Sequence, residues 1–451
     1  MEAHFARLTG NIVSKNGSTG PYSEVEVLDW FELYRPAPST SLELSALERE
    51  LVSAALETTK PGARVGIAVG SRGIARLPEV VEALVRALRG CGTSPVLIPA
   101  MGSHGGASES GQVAVLHKLG VRPDALGVPV DASMEVEEVG RLASGLPVFV
   151  SRAALCCDAL VPVNRVKPHT AFRAPVESGL TKMLTIGLGK ERGASSLHRA
   201  GFESFGTELP EAAQIVCSML NVPFGVALLE DQWHRLCRAE VVRGEEIFQR
   251  DQALLREAWE LFARLPFEQV DVLVLKEMGK TISGAGMDPN VTGRFSGSPL
   301  PSPTAVGRLV VLDLREDSGG NATGVGMADI VTERLRTKID WAATYANART
   351  SKSLASARLP IVVATDIEAL SWSMASLVGC VPTDARVAAI INTLEVGRIV
   401  VSEPLVASAS AAGYVPRGGP VRAVFSEAGD IERIGGLEFF RDPDVRSAVA
   451  S

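Results

Sequence analysis

Residues 64–106 of the chain read RVGIAVGSRGIARLPEVVEALVRALRGCGTSPVLIPAMGSHGG. The first part, 64–70, is a short β-branched run that closes with glycine, which is typical of a strand. Residues 77–92 carry apolar side chains at helical spacing and end in glycines, as a helix does. The apolar run that follows predicts the next buried strand and its exit loop. This order is a β-α-β unit, and such units build parallel sheets with helices on their faces.

The same alternation continues along the chain. We predict strands at 145–150, 158–166, 223–231, 270–279, 308–314 and 359–366. We predict helices at 208–220, 245–265, 326–340 and 366–377. The pattern therefore predicts an α/β fold of two domains, each a largely parallel sheet flanked by helices.

The length of the chain and the restart of the pattern indicate where the domains divide. At 451 residues the chain is too long for one ordinary core, so we expect two domains, or three at most. The alternation restarts near 262–268, which predicts one domain over 1–265 and a second over 266–451. Roughly the last 30 residues could pack back against the first domain. The site of such proteins lies at the carboxyl ends of strands, so we expect it in the cleft between the domains.

Composition and charge narrow the classes of function. Hydrophobic residues make up 46% and charged residues 22%, which is the composition of a soluble globular protein. The formal net charge of −7 argues against a nucleic acid or an anionic membrane as partner. An anionic substrate would therefore be bound by a local cluster of Arg and Lys.

The amino terminus and the cysteines point to the cytoplasm. Residues 1–17 lack the charged-then-apolar pattern of a signal peptide, and no run of eighteen apolar residues occurs. The six cysteines show no C-x-x-C spacing, which fits reduced thiols rather than a zinc ribbon or a disulfide framework.

One loop after a predicted strand is a candidate anion site. Residues 69–76, VGSRGIAR, open a helix, and their glycines let backbone N–H groups approach an anion closely. Arg72 and Arg76 add planar guanidinium groups that bind a carboxylate or phosphate at two points. The loop matches neither G-x-G-x-x-G nor G-x-x-x-x-G-K-[ST], and an ordinary turn with a solvated arginine explains it equally well.

A second loop places His104 immediately after a predicted strand, between pairs of glycines, in PAMGSHGGASESG. It lacks the apolar neighbours of a core histidine, and imidazole suits proton transfer near neutral pH. The remaining histidines are discounted: His117 lies in a helical pattern, His234 in a polar stretch and His4 at the terminus.

Residues 164–198, NRVKPHTAFRAPVESGLTKMLTIGLGKERGASSLH, bring three further candidates within a short stretch. Pro168 forbids a helix, so His169 lies in a loop at the same sheet edge as His104. Lys182 lies among glycines, and His198 follows sixteen residues later. These residue types fit a Schiff-base lysine with proton-transferring histidines, and they fit a three-histidine zinc site equally well.

Three stretches resemble a known family: AMGSHGGASESGQ, NRVKPHTAFRAPVESGLTKMLTIGLGK and EMGKTISGAGMDPNVTGR. They are similar to the superfamily of nickel-pincer nucleotide-dependent lactate racemase and its 2-hydroxyacid racemase and epimerase relatives. The resemblance is closer to the uncharacterised nickel-pincer-dependent isomerases than to lactate racemase itself, and it covers most of the chain.

The resemblance implies a cofactor, the nickel-pincer nucleotide, which is a pyridinium-3-thioamide-5-thiocarboxylic acid mononucleotide that holds nickel. By their places in the motifs, Lys182 matches the lysine that tethers this cofactor covalently and His198 the histidine that binds nickel. His104 and His169 match the two catalytic histidines. The interval of thirteen residues between His169 and Lys182 is longer than in lactate racemase, which indicates an inserted loop at AFRAPVE.

The resemblance also implies the reaction: reversible hydride transfer to the cofactor through a 2-keto acid, with histidines handling the hydroxyl proton. The domain 1–265 would bind the cofactor and carry out catalysis, and 266–451 would close over the substrate. The cofactor's binding would involve Ser71, Arg72 and Gly73, and the substrate's carboxylate would be bound by Arg72, Arg76 or Lys280. The weaker candidates in the second half are Asp288, Asn290 and Arg294. Cofactor-biosynthesis enzymes are the expected protein partners.

Two rival functions stay open at the level of the sequence. A zinc-dependent hydrolase or lyase would use His104, His169 and His198 as metal ligands, and Lys182 would be incidental. A non-catalytic protein that binds a sugar acid or nucleotide would need none of the histidines for chemistry. The substrate of the favoured function is equally open among lactate, malate, aromatic hydroxyacids and sugar acids.

Overall fold

The computed structural model describes residues 22, 25, 28–38, 42–199, 201–297 and 300–439. It divides into two compact units. The mid-chain unit is Pro38–Phe262, and the terminal unit joins the described residues before 38 to those after 262. No helix within the described ranges is long and apolar enough to cross a membrane.

The regular elements alternate along most of the chain. The strands are β1 (Trp30–Tyr34), β2 (Arg64–Val69), β3 (Ser94–Pro99), β4 (Val136–Arg141), β5 (Pro147–Ser151), β6 (Ala159–Arg165), β7 (Phe224–Glu230), β8 (Leu236–Arg243), β9 (Gln269–Met278), β10 (Ala305–Leu314), β11 (Ile330–Thr332), β12 (Ile361–Val363), β13 (Val387–Ile390), β14 (Arg398–Ser402), β15 (Val415–Pro416), β16 (Ala423–Phe425), β17 (Ile431–Ile434) and β18 (Leu437–Glu438). The α-helices are α1 (Leu44–Thr58), α2 (Leu77–Gly90), α3 (Glu109–Lys118), α4 (Pro123–Leu126), α5 (Arg152–Leu155), α6 (Leu180–Lys182), α7 (Lys190–Arg199), α8 (Phe205–Met219), α9 (Ile247–Leu261), α10 (Pro289–Thr292), α11 (Glu333–Thr337), α12 (Trp341–Thr350), α13 (Asp366–Ala375) and α14 (Glu403–Ala411).

The mid-chain unit is built on a five-stranded sheet in the order β3-β2-β6-β7-β8. The first four strands are parallel, and β8 pairs antiparallel with β7. Strand β2 shows why both faces are covered: Val65, Ile67 and Val69 pack into one apolar cluster with α1 and α2, and Ala68 packs into a second cluster with α8. This alternation follows from the two-residue period of a strand. The predicted β-α-β unit over 64–106 is therefore confirmed.

The terminal unit contains an eight-stranded sheet in the order β12-β11-β10-β9-β13-β14-β1-β15. The strands from β12 to β13 are parallel, and β14, β1 and β15 continue the sheet in antiparallel pairs. Strand β1 comes from the start of the chain, and its Trp30 side chain is fully buried. The predicted division at residue 265 places strand β1 in the first domain. Its partner strands, β14 and β15, lie after residue 397. Strands β16, β17 and β18 also contribute apolar side chains to the core of the terminal unit.

The predicted fold class, an α/β protein with largely parallel sheets flanked by helices, is confirmed. Each predicted strand corresponds to an observed one, and four of the five predicted helices correspond to α2, α8, α9 and α13. The predicted helix over 326–340 is wrong. Its centre is the buried strand β11, which is made of Ile330, Val331 and Thr332, and only the short α11 follows it. Three successive β-branched residues favour a strand, and that preference outweighed the helical spacing around them.

Candidate active site

The site is built where two neighbouring parallel strands of the mid-chain unit end. Val69 and Pro99, the last residues of β2 and β3, are paired in register, so the loops that follow them lie at the same edge of the sheet. Ser71 follows β2 and His104 follows β3, and the Ser71 hydroxyl forms a hydrogen bond with Nδ1 of His104. The structure thus brings together two residues that the sequence assigned to separate loops.

The loop that carries His104 requires a specific backbone. Gly105 has a φ of 66°, and a Cβ there would lie 2.6 Å from the carbonyl carbon of Gly111. The fully buried Gln112 also stabilises this loop. Its Nε2 donates to the carbonyl of Gly102 at 3.0 Å and to the carbonyl of His104 at 3.4 Å. The position of His104 therefore depends on a buried amide as well as on glycine.

Gln112 is itself held by Lys190, the first residue of α7. The Lys190 ammonium group is fully buried and donates to Oε1 of Gln112 at 2.9 Å and to the carbonyl of Pro99 at 2.7 Å. Burial lowers the pKa of Lys190 to about 8. This lysine joins the end of β3, the His104 loop and the helix that carries His198, and the sequence analysis did not identify it.

His169 lies in the loop after β6, and the backbone around it is tied down. Its backbone N–H donates to Oε2 of Glu177 at 2.7 Å, and its ring Nδ1 accepts a hydrogen bond from the backbone N–H of Ala171 at 3.1 Å. The ring packs against Phe172 with 4.3 Å between centroids. The segment AFRAPVE thus contributes contacts that hold His169, through both Phe172 and Glu177.

Lys182 ends the short helix α6 and leads directly into a π-helical turn, Met183–Gly187. Such turns are frequent at functional sites. The buried carboxylate of Asp251 stabilises the start of α6. It accepts hydrogen bonds from the backbone N–H groups of Thr181 at 2.7 Å and Leu180 at 3.3 Å. The Lys182 ammonium nitrogen lies 5.5 Å from the centroid of the Phe172 ring. The helix that carries Lys182 is therefore fixed by the Asp251 carboxylate, and the Lys182 ammonium group lies near an aromatic ring.

His198 lies in the last turn of α7, and its tautomer is set by a backbone group. Its Nδ1 lies 2.6 Å from the carbonyl oxygen of Ala194, which can only accept a hydrogen bond. Nδ1 therefore carries the proton, and in the neutral ring the lone pair is on Nε2. The ring meets Phe202 and Phe205 edge-on, with centroids 5.7 and 5.4 Å apart. A histidine held in this way can bind a metal through Nε2.

Aromatic rings connect these histidines. Phe172, Phe202 and Phe205 form one group, with centroid distances of 5.1 to 5.8 Å. His169 and His198 both pack on Phe202, at 6.0 and 5.7 Å. The two histidines are therefore neighbours across a shared ring.

Positive charge is concentrated at this site, although the chain as a whole is acidic. Burial, together with the nearby charges of Arg72 and Lys167, lowers the pKa of Lys182 to about 7. Burial also holds the pKa of His169 well below its usual value, helped by Lys182, Lys167, His198 and Arg72. Desolvation of its guanidinium group lowers the pKa of Arg72 as well, although the residue as a whole is exposed. An anion bound here would relieve this repulsion.

Lys167, within NRVKPH, also belongs to the candidate site, although the sequence alone assigned it no role. Its charge acts on both Lys182 and His169. The sequence did indicate its position, because a lysine between the end of a strand and a proline lies in a loop at the edge of the sheet. Glu177 was also missed; it is buried, and burial raises its pKa. Nothing in the sequence distinguishes it from a surface glutamate.

The candidate Arg76 has a different environment from that of Arg72. Arg76 precedes α2 with a φ of 59°, and its guanidinium group forms an ion pair with Glu79 at 2.6 Å and donates to the carbonyl of Leu42 at 2.7 Å. These contacts connect Arg76 to α2 and to the segment before α1. Gly73, the remaining candidate of this loop, is exposed with open space around its Cα.

The candidates in the second half of the sequence belong to the terminal unit. Lys280 donates to the carbonyl of Gly284 at 2.6 Å and to Oδ1 of Asn347 at 2.8 Å. Asp288 caps the short helix α10, in which Asn290 is fully buried. Arg294 forms an ion pair with Asp329 at 2.8 Å.

The described residues contain no group of three or more His, Cys, Asp and Glu that could hold a metal ion. His104, His169 and His198 therefore do not form a ready-made zinc site. His117 lies exposed in the last turn of α3, and His234 lies in the turn between β7 and β8. His4 lies outside the described residues.

Comparisons with known proteins concern the same part of the chain. Residues 67–256 match the family model described as "Domain of unknown function (DUF362)", and this range contains every candidate site residue of the mid-chain unit. The chain is also similar to the structure of the lactate racemase apoprotein from Thermoanaerobacterium thermosaccharolyticum. That match has 13% identity and a TM-score of 0.40, and it covers 62% of this chain and 74% of that one. No curated protein matches the chain in sequence.

Proposed function

We propose that this protein is a racemase or epimerase of a 2-hydroxy acid, with a nickel-pincer nucleotide as its cofactor. The observation that carries the proposal is the environment of Lys182 and His198. They lie sixteen residues apart in motifs that resemble the lactate racemase superfamily, and each side chain has the chemical state that its proposed role needs.

Lys182 has the properties of a covalent attachment point. A lysine forms an acyl or imine bond only as the neutral amine, and a pKa of about 7 makes much of this side chain neutral at physiological pH. The hydrogen bonds from Leu180 and Thr181 to Asp251 fix the helix that presents it.

His198 fits a metal whose other donors come from elsewhere. Its Nδ1–H donates to the carbonyl of Ala194, so a metal would be bound through Nε2. A single protein imidazole does not hold a metal by itself, but it completes a set in which soft sulfur donors belong to the cofactor. When bound, the nickel-pincer nucleotide supplies a hydride acceptor and donor.

Arg72 and Lys167 are the proposed anion-binding groups. Both act on the pKa of His169 and of Lys182, so both lie close to the reacting region. A guanidinium group binds a carboxylate at two points, and an ammonium group binds a phosphate or carboxylate as a point charge. We assign these two residues to the substrate carboxylate and the cofactor phosphate.

His104 and His169 are the proposed groups that handle the hydroxyl of the substrate. Oxidation of a 2-hydroxy acid to the 2-keto acid releases the hydroxyl proton, and the reverse step returns it. The aromatic group of Phe172, Phe202 and Phe205 would exclude water from the reacting carbon, which protects the keto acid.

The deciding experiment is intact-mass measurement of the chain purified from a host that makes the cofactor. The wild-type chain should carry a nucleotide-sized covalent adduct, and Lys182→Ala should lose it. Lys118→Ala, which removes an exposed lysine in α3, is the matched control and should keep the adduct. An unmodified wild-type chain from such a host contradicts the proposal.

Turnover supplies a second measurement. The loaded protein should interconvert the stereoisomers of at least one 2-hydroxy acid, and the hydrogen on the inverted carbon should not exchange in heavy water. Substantial deuterium at that carbon would indicate ordinary proton abstraction. If His104→Ala leaves the biological role of the protein intact, the non-catalytic binding function is favoured instead.

A further inference from the structure

We propose that Glu230 is a positioning residue of the candidate anion site: together with Arg165 it holds the loop that carries Arg72 close to Lys182 before any anion binds. The inference rests on the proposed function for the identity of the anion, which would be the carboxylate of a 2-hydroxy acid. It follows from the contacts that fix residues 70–76, the Arg72 loop.

The Arg72 loop begins against the segment that carries Lys182. Val69, the last residue of β2, pairs in register with Val163 of β6, so the loop leaves the sheet beside the end of β6. A Cβ at Gly70 would lie 3.3 Å from Cε of Met183. Because Met183 directly follows Lys182, the start of the loop lies close to the backbone that presents this lysine.

The Arg72 loop is anchored on both sides of Arg72. On one side, the hydroxyl of Ser71 forms a hydrogen bond with Nδ1 of His104. On the other side, the backbone N–H of Ala75 donates to Oε1 of Glu230 at 2.6 Å. The exposed glycine that follows Arg72 has open space around its Cα, so packing does not fix the loop there. The position of Arg72 therefore depends on these two anchors.

The contacts of Glu230 require a carboxylate. Glu230 is the last residue of β7, and its side chain is only 7% exposed. Its Oε2 forms an ion pair with the guanidinium group of Arg165, the last residue of the neighbouring strand β6. This guanidinium group and the N–H of Ala75 are both donors without acceptor capacity. A glutamine at this position has a single oxygen, so it cannot accept from both.

The Glu230 anchor acts against electrostatic repulsion. The charge of Arg72 helps to lower the pKa of Lys182, because two positive charges close together repel one another. Without an anchor, the loop would carry the guanidinium group of Arg72 away from the lysine. Glu230 thus preorganises the site: positive charge is already in place where an anion binds, and the anion need not order the loop.

Other roles of Glu230 predict different results. The charges that act on the pKa of Lys182 are those of Arg72, Lys167 and Glu177. If Glu230 acted on the site through its own charge, its removal would leave more positive charge, lower the pKa of Lys182 and tighten the binding of an anion. If Glu230 only stabilised the fold, its loss would affect Lys182 whether or not Arg72 were present.

The reactivity of Lys182 tests the positioning role without substrate or cofactor. An acylating reagent modifies the neutral amine, so its rate across a pH series in the full-length, cofactor-free chain follows the pKa of Lys182. Glu230→Gln should move this profile to higher pH and lower the rate at pH 7 about twofold, because Arg72 moves away. Glu230→Asp keeps the charge but is one CH₂ group shorter, and it should move the profile in the same direction.

The control for this measurement removes the same charge elsewhere. Glu245→Gln, in the turn after β8, replaces an exposed glutamate and should leave the profile of Lys182 in place. An unchanged profile, or a shift to lower pH, in Glu230→Gln and Glu230→Asp overturns the proposal.

A double variant shows whether Glu230 acts through Arg72. Arg72→Gln alone should move the profile of Lys182 to higher pH, because it removes the repelling charge. Addition of Glu230→Gln to this variant should then cause no further shift, since the residue that Glu230 positions is gone. Shifts that add in the double variant would assign Glu230 to general stability and overturn the positioning role.

Turnover supplies a readout of the bound anion. Lactate, malate, mandelate and gluconate are the probes for the cofactor-loaded protein. For an acid that turns over, Glu230→Gln should raise KM on the order of tenfold and change kcat less than about twofold, because the substrate carboxylate is bound equally in the ground and transition states. A lower KM in Glu230→Gln overturns the proposal. If none of the four acids turns over, the proposed function loses support, and the profile of Lys182 still decides the role of Glu230.

Discussion

The buried ammonium group of Lys190 donates a hydrogen bond to Oε1 of Gln112 across 2.9 Å. Because Gln112 donates in turn to the loop of His104, replacement of Lys190 should disturb both the fold and the site. Lys190→Met keeps the volume but leaves two buried acceptors without their donor, so we expect the free energy of unfolding to fall by about 1–3 kcal/mol. Chemical denaturation measures this change, and Lys118→Met in α3 is the exposed control. Equal stability of Lys190→Met and the wild type would show that this hydrogen bond contributes nothing net.

The contribution of Lys190 should also depend on pH. Its pKa is about 8 in the folded chain, below the 10.5 of an unperturbed lysine, so the unfolded chain holds the proton more tightly. The cost of burying the charge is fully present below pH 8 and is relieved as pH rises towards 10.5. The difference in unfolding free energy between the wild type and Lys190→Met should therefore grow from pH 7 to pH 10. A difference that shrinks over this range contradicts the burial of a charged Lys190.

Lys182 should react as a neutral amine at a pH where ordinary lysines do not. Its pKa of about 7 predicts that an acylating reagent modifies it at neutral pH at least about tenfold faster than the exposed Lys118. Peptide mass spectrometry of the cofactor-free protein measures both rates across a pH series.

Two substitutions give opposite controls for the same measurement. Arg72→Gln removes a positive charge, so the pKa of Lys182 should rise and the reactivity profile should move to higher pH. Glu177→Gln removes the carboxylate that opposes this effect, so the profile should move to lower pH. Profiles that do not move would show that burial alone sets the pKa of Lys182.

Asp251 should stabilise the segment that presents Lys182. Asp251→Ala removes the acceptor of two backbone N–H groups at the start of α6, so we expect a loss of about 1–3 kcal/mol in the free energy of unfolding. Glu260→Ala, at an exposed position of the same helix α9, is the control and should stay within about 0.5 kcal/mol. Hydrogen exchange of the Thr181 amide locates the change. Unaltered protection of that amide in Asp251→Ala would contradict the capping role.

Arg72 and Arg76 should differ in their effect on substrate. Arg72→Ala removes a charged group of the site, and we expect the Kd of a bound 2-hydroxy acid to rise about 10–100-fold. Arg76→Ala breaks a partly exposed ion pair with Glu79, which is worth about 0–1 kcal/mol of stability and should leave the Kd nearly unchanged. Calorimetric titration compares the two variants. A larger effect of Arg76→Ala on the Kd would reverse the assignment.

These two arginines also show where sequence reasoning reaches its limit. The ends of the strands at Val69 and Pro99 could be predicted from the sequence. The loops after them were predicted to lie at one edge of the sheet, because parallel strands of a β-α-β unit pair side by side. Which arginine faces the site was not readable. The left-handed backbone at Arg76 and its ion pair with Glu79 become visible only with the fold.

Three buried polar residues could not be predicted from the sequence. Lys190, Gln112 and Glu177 look like surface residues in the sequence, because charged and amide side chains are seldom buried. Their burial follows from how α7, α3 and the loop after β6 pack, which involves residues far apart in the chain. The histidines could be proposed as candidates from the sequence because the glycine and proline around them indicate loops, and loops carry most functional side chains.

Strand β1 has a consequence for the order in which the chain acquires its structure. Its residues pair with β14, with Trp30 opposite Ser402 and Tyr34 opposite Arg398. During synthesis β1 leaves the ribosome on the order of tens of seconds before β14 exists. The mid-chain unit draws all five strands of its sheet from residues 64–243, so it can complete that sheet in the meantime. We therefore expect folding to run from the middle of the chain outward, with closure of the terminal sheet as the last step.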